Sequence, residues 1–561
     1  MKSEYMLIDK IPVEINEEKN ILDLIRKVGI ELPTFCYYSE LSVYGACRMC
    51  VVEDKWGSIH AACSTVPKAG LEVRTNTPRL RKYRKMILEL LLASHCCDCT
   101  TCPKSGKCKL QELAQRFGIK RVRFDNTSGD PDIDDSSPCI TRDKNKCILC
   151  GDCVRVCDEV QNVGAIDFAF RGSNMRVSPA FDEPIGETNC VGCGQCAVVC
   201  PTGAIVVKSD TLDLWKELSD ENTKVLVQIA PAVRVAIGSE FGLNEGEDVM
   251  GRIVASLRRI GFDGVFDTST GADLTVLEET KEFMTRLTTD GKLPLFTSCC
   301  PAWVRYVEYN HPHLLDNISS CRSPMQMFGS VLKEQYKDSK QRVIVVAVMP
   351  CTAKKHEATR DEFKADGVPY VDYVITSNGL IKMIKEAGLV FSEIEPEALD
   401  MPFGTVSGAG VIFGVTGGVT EAVIRRVSDD KTIAGLRKIA FTGVRGMNGV
   451  KEASIEHEGR QVNIAVVSGL KNADDLIKQI ESGEKQYDFV EVMACPGGCV
   501  CGAGQPVTSS TGKKSRSKGL YDADRMSNIK HAEANPTLDA IYKNVLKDKV
   551  HELLHVHYPR P

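Results

Sequence analysis

The sequence predicts a chain of several domains, in which an α/β region with parallel sheets follows a cysteine-rich α+β region. Its 561 residues and 61.6 kDa exceed what one hydrophobic core organises. After residue 224, apolar runs at 225–230, 343–348 and 464–469 alternate with helical patterns, such as the stretch 248–261 that stops at Gly261. Buried strands alternating with helices are typical of parallel α/β layers. Residues 1 to about 80 instead show short strands and turns around four cysteines.

Composition and charge exclude several classes of function. The 70 Lys+Arg against 75 Asp+Glu leave a net charge of −5, which argues against a nucleic-acid partner because such partners need a basic surface. No apolar run reaches the roughly 18 residues of a membrane span. The N-terminal residues have no basic segment before an apolar core and no twin arginine. We therefore expect a cytoplasmic protein with no membrane span.

The 25 cysteines indicate the kind of site, because most of them fall in C-x2-C groups. Disulfide scaffolds are short and secreted, whereas this chain is long and lacks a signal sequence. Cysteines two residues apart can converge on one metal without backbone strain. We therefore expect metal or iron–sulfur ligands, with zinc as the main alternative.

The first two cysteine groups suit either an iron–sulfur cluster or zinc. Residues 36–63 contain C-x10-C-x2-C-x12-C, which suits a 2Fe–2S cluster. Residues 95–108 contain H-x3-C-x2-C-x5-C after a helical stretch at 80–95, and either Cys96 or Cys97 could replace a ligand there. The candidate ligands are Cys36, Cys47, Cys50 and Cys63, then His95, Cys99, Cys102 and Cys108.

An internal repeat follows the polar, acidic segment 125–138, which we interpret as a linker. The repeated unit is C-x2-C-x2-C-x3-C, and its second copy is followed by Pro201. This is the pattern of bacterial two-cluster ferredoxins, in which the fourth cysteine of each run binds the other cluster. One 4Fe–4S cluster is thus expected on Cys147, Cys150, Cys153 and Cys200, and the other on Cys190, Cys193, Cys196 and Cys157.

Three further cysteine segments follow apolar runs. They are TSCCPAW (297–303), MPCTAKKHE (349–357) and EVMACPGGCVCGAGQP (491–506). Ligand sites of α/β sheets gather beyond the carboxyl ends of the strands. Three strand ends can therefore deliver four thiolates to one point, enough for another 4Fe–4S cluster. These are Cys300, Cys351, Cys495 and Cys499.

These three segments resemble, in order, the signature loops of iron-only (FeFe) hydrogenases, and the N-terminal groups resemble the accessory domains of the larger clostridial type. The resemblance implies reversible reduction of protons to H2 at an H-cluster enclosed by two parallel-sheet lobes. The H-cluster is a 4Fe–4S cluster joined through Cys499 to a diiron unit with CO, cyanide and azadithiolate. One 2Fe–2S and three accessory 4Fe–4S clusters, one with His95 as a ligand, would feed it.

The resemblance also implies a domain plan. It comprises a 2Fe–2S ferredoxin-like domain (1–80), a 4Fe–4S domain with one histidine and three cysteine ligands (81–125), a two-cluster ferredoxin-like domain (126–212), the H-cluster domain (213–508) and its C-terminal tail (509–561). The tail is expected to begin as a basic loop and to end in a helix.

Other residues match family positions with known roles. Cys299 matches the cysteine that passes protons to the azadithiolate, and a thiol can exchange protons near neutral pH. Glu279 and Glu282, which share a helix face, match the proton route to the surface with Ser319 and Arg286. Lys354 matches a lysine that bonds a cyanide, and the residues matching those around the diiron unit are Pro231, Met349 and Met493.

Some positions depart from the family pattern. Ala302 and Ala503 stand where glycine is usual, and Met325 stands where glutamine is expected near a cyanide. Cys321 and Cys501 are additional thiols. We expect these changes to affect packing, oxygen sensitivity and catalytic bias, with cluster binding intact.

HELLH (551–555) fits the zinc-protease motif H-E-x-x-H, but it lies in the last dozen residues and the family carries a similar stretch, so we reject protease chemistry. The sequence has no Walker A loop and no strand-linked G-x-G-x-x-G. Electrons are therefore expected from ferredoxin or flavodoxin, or from a flavoprotein subunit that binds NAD(P). Separate maturation enzymes would build the diiron unit.

Two alternatives remain from other classes of protein. A pure electron-transfer subunit explains residues 1–208 and leaves the three loops unexplained. A hydrogen-sensing or cluster-assembly relative would lack the proton-route residues, whereas Cys299, Glu279 and Glu282 are all present.

Overall fold

The computed structural model of the protein describes residues 4–129, 132–289, 291–428, 430–440 and 443–559. The chain divides into two compact units. The N-terminal unit comprises Met1–Val160, Gly164–Thr188 and Gln195–Val206, and the C-terminal unit comprises Gln161–Val163, Asn189–Gly194 and Val207–Pro561. Within the described ranges, no helix is long and apolar enough to cross a membrane.

The N-terminal unit begins with a mixed sheet. Its elements are β1 (Glu4–Ile8), β2 (Ile11–Ile15), α1 (Ile21–Lys27), β3 (Val51–Asp54), β4 (Ile59–Ala61) and β5 (Glu72–Arg74). The strands lie in the order β2-β1-β5-β3-β4, with β1 and β5 parallel. Asn20 caps α1 by accepting a hydrogen bond from the Asp23 N–H. The apolar side of α1 packs with the sheet, and Cys50 and Cys63 lie in the same core.

Helices and short strands complete this unit. They are α2 (Pro78–Ala93), α3 (Lys109–Arg116), β6 (Ile133–Asp134), β7 (Ile140–Asp143), α4 (Asp152–Arg155), β8 (Asp167–Ala169), β9 (Arg176–Ser178), α5 (Gln195–Val199) and β10 (Ile205–Val207). The helix predicted at 80–95 corresponds to α2. The segment interpreted as a linker contains β6, which pairs with β7, because the Asp134 carboxylate accepts hydrogen bonds from Arg142 and the Ile185 N–H.

A parallel sheet forms the first half of the C-terminal unit. The elements are α6 (Thr211–Leu218), β11 (Thr223–Ile229), α7 (Met250–Ile260), β12 (Gly264–Asp267), α8 (Ser269–Thr288), β13 (Leu295–Phe296), α9 (Pro301–Asn310), α10 (Pro324–Gln335), β14 (Arg342–Met349), α11 (Ala353–Thr359), β15 (Lys364–Ala365), β16 (Val368–Pro369), β17 (Tyr373–Thr376) and α12 (Ser377–Glu386). Strands β12-β11-β14-β17 are all parallel. Gly261 ends α7 with a φ of 116°, as its position predicted.

A second sheet forms the other half of this unit. Its further elements are α13 (Gly408–Val411), α14 (Gly418–Val427), α15 (Ile433–Ala440), β18 (Val450–His457), β19 (Arg460–Ser468), α16 (Leu470–Glu481), β20 (Phe489–Met493), α17 (Ser510–Met526), α18 (Pro536–Ala540) and α19 (Val550–Leu554). In the order β13-β20-β19-β18, the first three strands are parallel. Strand β18 is antiparallel because a tight turn at Glu458 and Gly459, both with positive φ, joins it to β19. The predicted parallel-sheet architecture is confirmed.

The tail after residue 508 differs from the expected loop. It forms helix α17, which begins where the Ser509 side chain accepts a hydrogen bond from the Gly512 N–H. Arg516 is 1% exposed and pairs with Glu245. Serine, threonine and glycine made this segment look like a loop, but tertiary packing outweighs their weak helix propensity.

Helix α8, which carries Glu279 and Glu282, packs tightly against α10. A Cβ added at Gly271 would lie 2.2 Å from the Pro324 carbonyl oxygen and 2.9 Å from the Phe328 Cβ. The close approach of the two helices therefore requires glycine at this position.

We predict that Gly271→Ala destabilises the chain by about 1–3 kcal/mol, because backbone atoms must move to admit the methyl group. Thermal unfolding of the full chain would measure this as a lower midpoint. Gly129→Ala is the control, since an added Cβ there meets nothing within 4 Å. Equal midpoints for Gly271→Ala and the unsubstituted chain would contradict the prediction.

Candidate active site

The carboxyl ends of the two sheets of the C-terminal unit meet at one cavity of about 90 Å³. Strand β14 leads into Cys351, β13 into Cys299 and Cys300, and β20 into the loop with Cys495 and Cys499. All five cysteines line this cavity. The structure thus brings together the thiols that the sequence predicted to converge.

The burial of these thiols suits a bound group that carries positive charge. Burial and then the nearby Cys300 raise the pKa of Cys351 to about 11. Burial is also the first cause that raises the pKa values of Cys300 and Cys499. A thiol must lose its proton to bind a metal, and the metal charge stabilises the thiolate. The donor set therefore fits an iron–sulfur group, which soft thiolates prefer.

Two glycines fix the loop that carries Cys495 and Cys499. Gly497 and Gly498 have φ values of +85° and +87°, and a Cβ on Gly498 would lie 2.5 Å from the Thr416 backbone nitrogen. The positive φ would strain any other residue at either position, and a side chain at Gly498 would also clash with the backbone. The turn between the glycines allows both cysteines to face the same cavity.

The remaining cavity wall is apolar apart from Thr268 and one cation. Pro231, Met349 and Met493 line it, as does Lys354. The Lys354 Nζ donates to the Cys299 carbonyl oxygen at 3.1 Å and to Glu357 Oε2 at 2.8 Å. The ion pair with Glu357 fixes the ammonium at the cavity and balances its charge.

Glu279 is a buried carboxyl group on α8. Its side chain is fully buried, and within the described residues its carboxylate oxygens make no well-aligned hydrogen bond, although Ser319 and the Ser298 backbone lie close enough to oppose the rise of its pKa in part. Burial, and then the negative charge of Glu282, raise the pKa of Glu279 to about 8. Burial and then Glu279 hold the pKa of Cys299 well above its usual range. Both groups therefore carry protons near neutral pH, and the Glu279 pKa suits a general acid or base.

Glu282 lies one turn further along α8, at a node of hydrogen bonds. Ser319 Oγ donates to Glu282 Oε2 at 2.9 Å. Arg286 donates to Glu282 Oε1 at 2.5 Å, and it also donates to the carbonyl oxygens of Asp316 and Ile318. The predicted proton-route residues thus lie in one region, running from the cavity to a partly exposed arginine.

The first two cysteine groups also converge within the N-terminal unit. Contact with Cys50, burial, and then the charges of Cys36 and Cys47 all raise the pKa of Cys63. A second cavity is lined by His95, Cys99, Cys102 and Cys108. The His95 Nδ1 lies 3.0 Å from the Cys97 N–H, and the buried Nε2, which would have to give up its proton to bind a metal, has no partner among the described residues. Neither Cys96 nor Cys97 lines that cavity within the described ranges.

In the predicted two-cluster arrangement, the fourth cysteine of the second run joins the first three cysteines of the first run. A third cavity has this grouping. Cys147, Cys150, Cys153 and Cys200 line it together, which is the pattern of a two-cluster ferredoxin. Of the second quartet, Cys157 and Cys196 belong to the N-terminal unit, and Cys190 and Cys193 belong to the C-terminal unit. That quartet stays a prediction.

Sequence reasoning missed three residues at the active site. Glu357 pairs with Lys354 three positions earlier on α11, a spacing that could have indicated it. Ser320 and His555 contact each other and extend the Glu282 node. Nothing local in the sequence relates these two residues, because 235 positions separate them.

Comparison with known proteins identifies the family. The family described as "Iron only hydrogenase large subunit, C-terminal domain" matches residues 223–503. The "NADP-reducing hydrogenase subunit HndD" of Solidesulfovibrio fructosivorans is 41% identical over 573 residues, which cover 98% of each chain. The chain belongs to the iron-only hydrogenases.

Further matches extend along the whole hydrogenase. They are a 2Fe–2S cluster binding domain (6–78), the iron–sulfur binding region of NADH-ubiquinone oxidoreductase G (84–123), a 4Fe–4S dicluster domain (146–204) and the iron hydrogenase small subunit (511–560). "Iron hydrogenase 1" of Clostridium pasteurianum is 35% identical over 571 residues, covering 99% of this chain and 100% of the relative. The hydrogenase thus has an H-cluster domain and carries 2Fe–2S and 4Fe–4S clusters.

Solved structures support the same fold for the catalytic part. A variant of the [FeFe]-hydrogenase HydA1 from Chlamydomonas reinhardtii superposes with a TM-score of 0.54 at 35% identity. The match covers 63% of this hydrogenase and 99% of that chain. The similarity agrees with the parallel sheets described above.

The positions that depart from the family pattern are accommodated in this hydrogenase. Ala302 and Ala503 are 2% and 4% exposed, so both methyl groups pack in the interior. Met325 lines the cavity with a thioether, which cannot donate a hydrogen bond as an amide would. Cys321 is buried and donates its N–H to Ser319 Oγ at 3.2 Å, while Cys501 is partly buried.

The raised pKa of Glu279 predicts a pH dependence of stability. The folded chain holds this proton up to about pH 8, whereas an unfolded, solvated glutamate releases it in the ordinary glutamate range. Between the ordinary glutamate pKa and about pH 8, the folded state therefore binds more protons than the unfolded state. The free energy of unfolding falls as pH rises through this range. Glu279→Gln is neutral throughout, so its unfolding midpoint should rise relative to wild type between about pH 5.5 and 8.5. Exposed Glu484→Gln is the control, and an equal shift in both variants would contradict the assignment.

Proposed function

We propose that this hydrogenase catalyses the reversible reduction of protons to H2 at an H-cluster held in the cavity of the C-terminal unit. The main support for this proposal is that thiols from three loops converge on that cavity. When bound, the cluster supplies the redox chemistry, and the protein supplies ligands, a dry pocket and a proton route.

We assign the ligands of the H-cluster as follows. Cys300, Cys351, Cys495 and Cys499 would hold its 4Fe–4S part, and Cys499 would also be the ligand next to a diiron unit with CO, cyanide and azadithiolate. Support comes from the position of all four thiols beside a mostly apolar wall. Lys354 offers an ammonium donor for a cyanide, since charge-assisted hydrogen bonds are the stronger kind. Pro231, Met349 and Met493 shape the pocket.

The proton route runs from Cys299 through Glu279, Ser319 and Glu282 to the surface near Arg286. In this route Cys299 delivers or accepts the proton at its Sγ. Glu279 exchanges it as a carboxyl group whose pKa of about 8 lies near the operating pH. The Ser319 hydroxyl, 2.9 Å from Glu282 Oε2, transmits it to the Glu282 carboxylate. Burial of Glu279 and Ser319 keeps bulk water away from the pathway.

The accessory clusters form an electron relay of one 2Fe–2S and three 4Fe–4S clusters. The 2Fe–2S ligands are Cys36, Cys47, Cys50 and Cys63, and the histidine-ligated cluster uses His95, Cys99, Cys102 and Cys108. The paired clusters use Cys147, Cys150, Cys153 and Cys200, then Cys190, Cys193, Cys196 and Cys157. Replacing a thiolate by imidazole raises a cluster's potential, as in Rieske centres, so the His95 cluster should have the higher potential.

The proposed domains are 1–80, 81–125, 126–212, 213–508 and 509–561. The family matches at 6–78, 84–123, 146–204 and 511–560 lie within four of them. The N-terminal unit ends at Val206, and the last segment of the C-terminal unit begins at Val207, near the proposed boundary at 212. Each domain would carry its own clusters, and the tail would complete the catalytic domain.

We further propose that the chain works in the cytoplasm and receives electrons from ferredoxin or flavodoxin, or from a flavoprotein subunit that binds NAD(P). The name of the Solidesulfovibrio relative, which describes an NADP-reducing hydrogenase subunit, supports the multi-subunit form. Maturation enzymes would insert the diiron unit, and no nucleic acid takes part.

The proposed function is tested with anaerobically matured protein. We predict CO and cyanide bands in its infrared spectrum and H2 evolution from a reduced viologen. Cys299→Ser should keep the bands and lose most turnover, by a factor of about 10² or more, because a hydroxyl is a much weaker acid than a thiol. Cys501→Ser, which changes a thiol that does not line the cavity, is the matched control and should lose far less turnover than Cys299→Ser. Absence of the bands and of gas after maturation would reject the function, and an unchanged rate in Cys299→Ser would reject only its proton role.

The ligands of the histidine-bound cluster can be tested by iron content and electron paramagnetic resonance. Cys102→Ser should lose the iron and the signal of one cluster, because serine is a poor ligand for iron–sulfur clusters. Cys96→Ser and Cys97→Ser should keep both. Loss of the cluster in either of the latter variants, with retention in Cys102→Ser, would require another ligand set.

A further inference from the structure

The histidine motif at the C-terminus lies against the predicted proton route. Helix α19 ends at Leu554, and the next residue, His555, contacts Ser320. Backbone hydrogen bonds fix this contact, since the Arg322 N–H donates to the Leu554 carbonyl at 2.8 Å and the Val556 N–H donates to the Ser320 carbonyl at 2.7 Å. The position of the imidazole is therefore set by the fold.

Ser320 links this histidine to Glu282. Its Oγ lies 3.1 Å from Glu282 Oε2 and 2.9 Å from His555 Nδ1. On the other side of the ring, His555 Nε2 lies 3.4 Å from Glu278 Oε2. Hydrogen bonds from His555 and Tyr542 hold the pKa of Glu278 below its usual range, although burial opposes them more than any single hydrogen bond. An ionised Glu278 only accepts hydrogen bonds, so His555 keeps a proton on Nε2.

One hydroxyl hydrogen cannot serve both neighbours of Ser320. If Glu282 is ionised, the hydroxyl donates to Glu282 and His555 Nδ1 must carry a proton to donate to Ser320 Oγ. If Glu282 is protonated, it donates to Ser320 Oγ and the hydroxyl donates to a bare Nδ1. The proton thus resides either on Glu282 or on His555, and the hydroxyl interconverts the two states.

On the opposite side of Glu282, no side chain among the described residues offers a comparable acceptor, so a proton leaving there passes to solvent beside the partly exposed Arg286. Arg286 donates to Glu282 Oε1 and is held by carbonyl oxygens, but a guanidinium does not release protons in proteins. The histidine side also ends at the surface. The His551 ring stacks on His555 with centroids 5.0 Å apart, and the His557 ring lies 6.0 Å from that of His551. His551 and His557 are both exposed.

We propose that Ser320 and His555 form a proton branch that joins Glu282 to the surface beside the C-terminal histidines. The branch rests on the proposed role of Glu282. During H2 oxidation, the Glu282 carboxyl gives its proton to Ser320 Oγ as the hydroxyl proton passes to His555 Nδ1, and the imidazolium then releases its Nε2 proton to water at the partly exposed ring. Before the next transfer, the ring returns to the tautomer with its proton on Nε2. During H2 evolution the same steps run backwards, and no electrons move in the branch.

Titratable and charged groups face His555 from several elements. Glu278 and Glu282 on α8 face the ring, and Arg322 holds the His555 carbonyl oxygen through its Nε. Cys321 is buried and also lies within 4.8 Å of the ring and of Glu282. The other titratable neighbours are His551 on α19, Tyr542, which bonds Glu278, and Lys281, whose charge also acts on Glu278.

The test uses the full matured enzyme with His555→Gln, which keeps hydrogen-bonding groups but cannot titrate, and His555→Ala. The wild-type pH profile of H2 oxidation should contain a rise that depends on His555, because a neutral ring is needed to accept the proton. His555→Gln should lose this rise and, since the Arg286 side remains open, on the order of tenfold in rate. Added imidazole should restore His555→Ala, and His313→Gln serves as the exposed-histidine control.

A second readout does not depend on turnover. The carboxyl infrared band of Glu282, identified by its loss in Glu282→Gln, should shift in Ser320→Ala and His555→Gln, while the CO and cyanide bands stay in place. A wild-type pH profile in both His555 variants, or a uniform loss that imidazole does not restore, would overturn the branch. If Glu282→Gln nevertheless lost turnover, the main route would stand, whereas full activity of Glu282→Gln would reject the main route itself.

Discussion

The constraint on which the structure depends is the gathering of four thiols, from three separate loops, around one cavity. Burial raises the pKa values of Cys300, Cys351 and Cys499, so four thiolates at this point are stable only beside compensating positive charge. Two sheets with parallel strands supply the geometry, because their carboxyl ends open on the same space. The glycines of the third loop and the packing at Gly271 follow from the same need for close approach.

Charge balance around the cavity follows from its burial. Lys354 is paired with Glu357, so the cation beside the thiols does not stand alone. Glu279 has no such partner among the described residues and keeps its proton to about pH 8. Glu282, one turn later, has Arg286 and Ser319 as partners. Two glutamates on one helix thus differ in environment, and such a difference allows a proton to be held at one group and passed to the other.

Much of the fold and of the site could be predicted from the sequence, because both leave local signals. Apolar runs identified β11, β14 and β19, and cysteine spacing identified sets of thiols that line shared cavities. Helix α17 could not be predicted, since its stability depends on burying Arg516 against Glu245 rather than on propensity. The contact between Ser320 and His555 was equally hidden, because only the tertiary fold joins positions so far apart.

The C-terminal motif illustrates how context decides chemistry. In zinc proteases H-E-x-x-H gives two histidine ligands and a catalytic glutamate, and here the rings of His551 and His555 do lie side by side. The acidic partner of His555, however, is Glu278 from α8, whereas Glu552 of the motif is exposed. Ser320 takes the remaining ring nitrogen. Both nitrogens are therefore committed to hydrogen bonds within a protein network, an arrangement that suits moving a proton better than binding a metal.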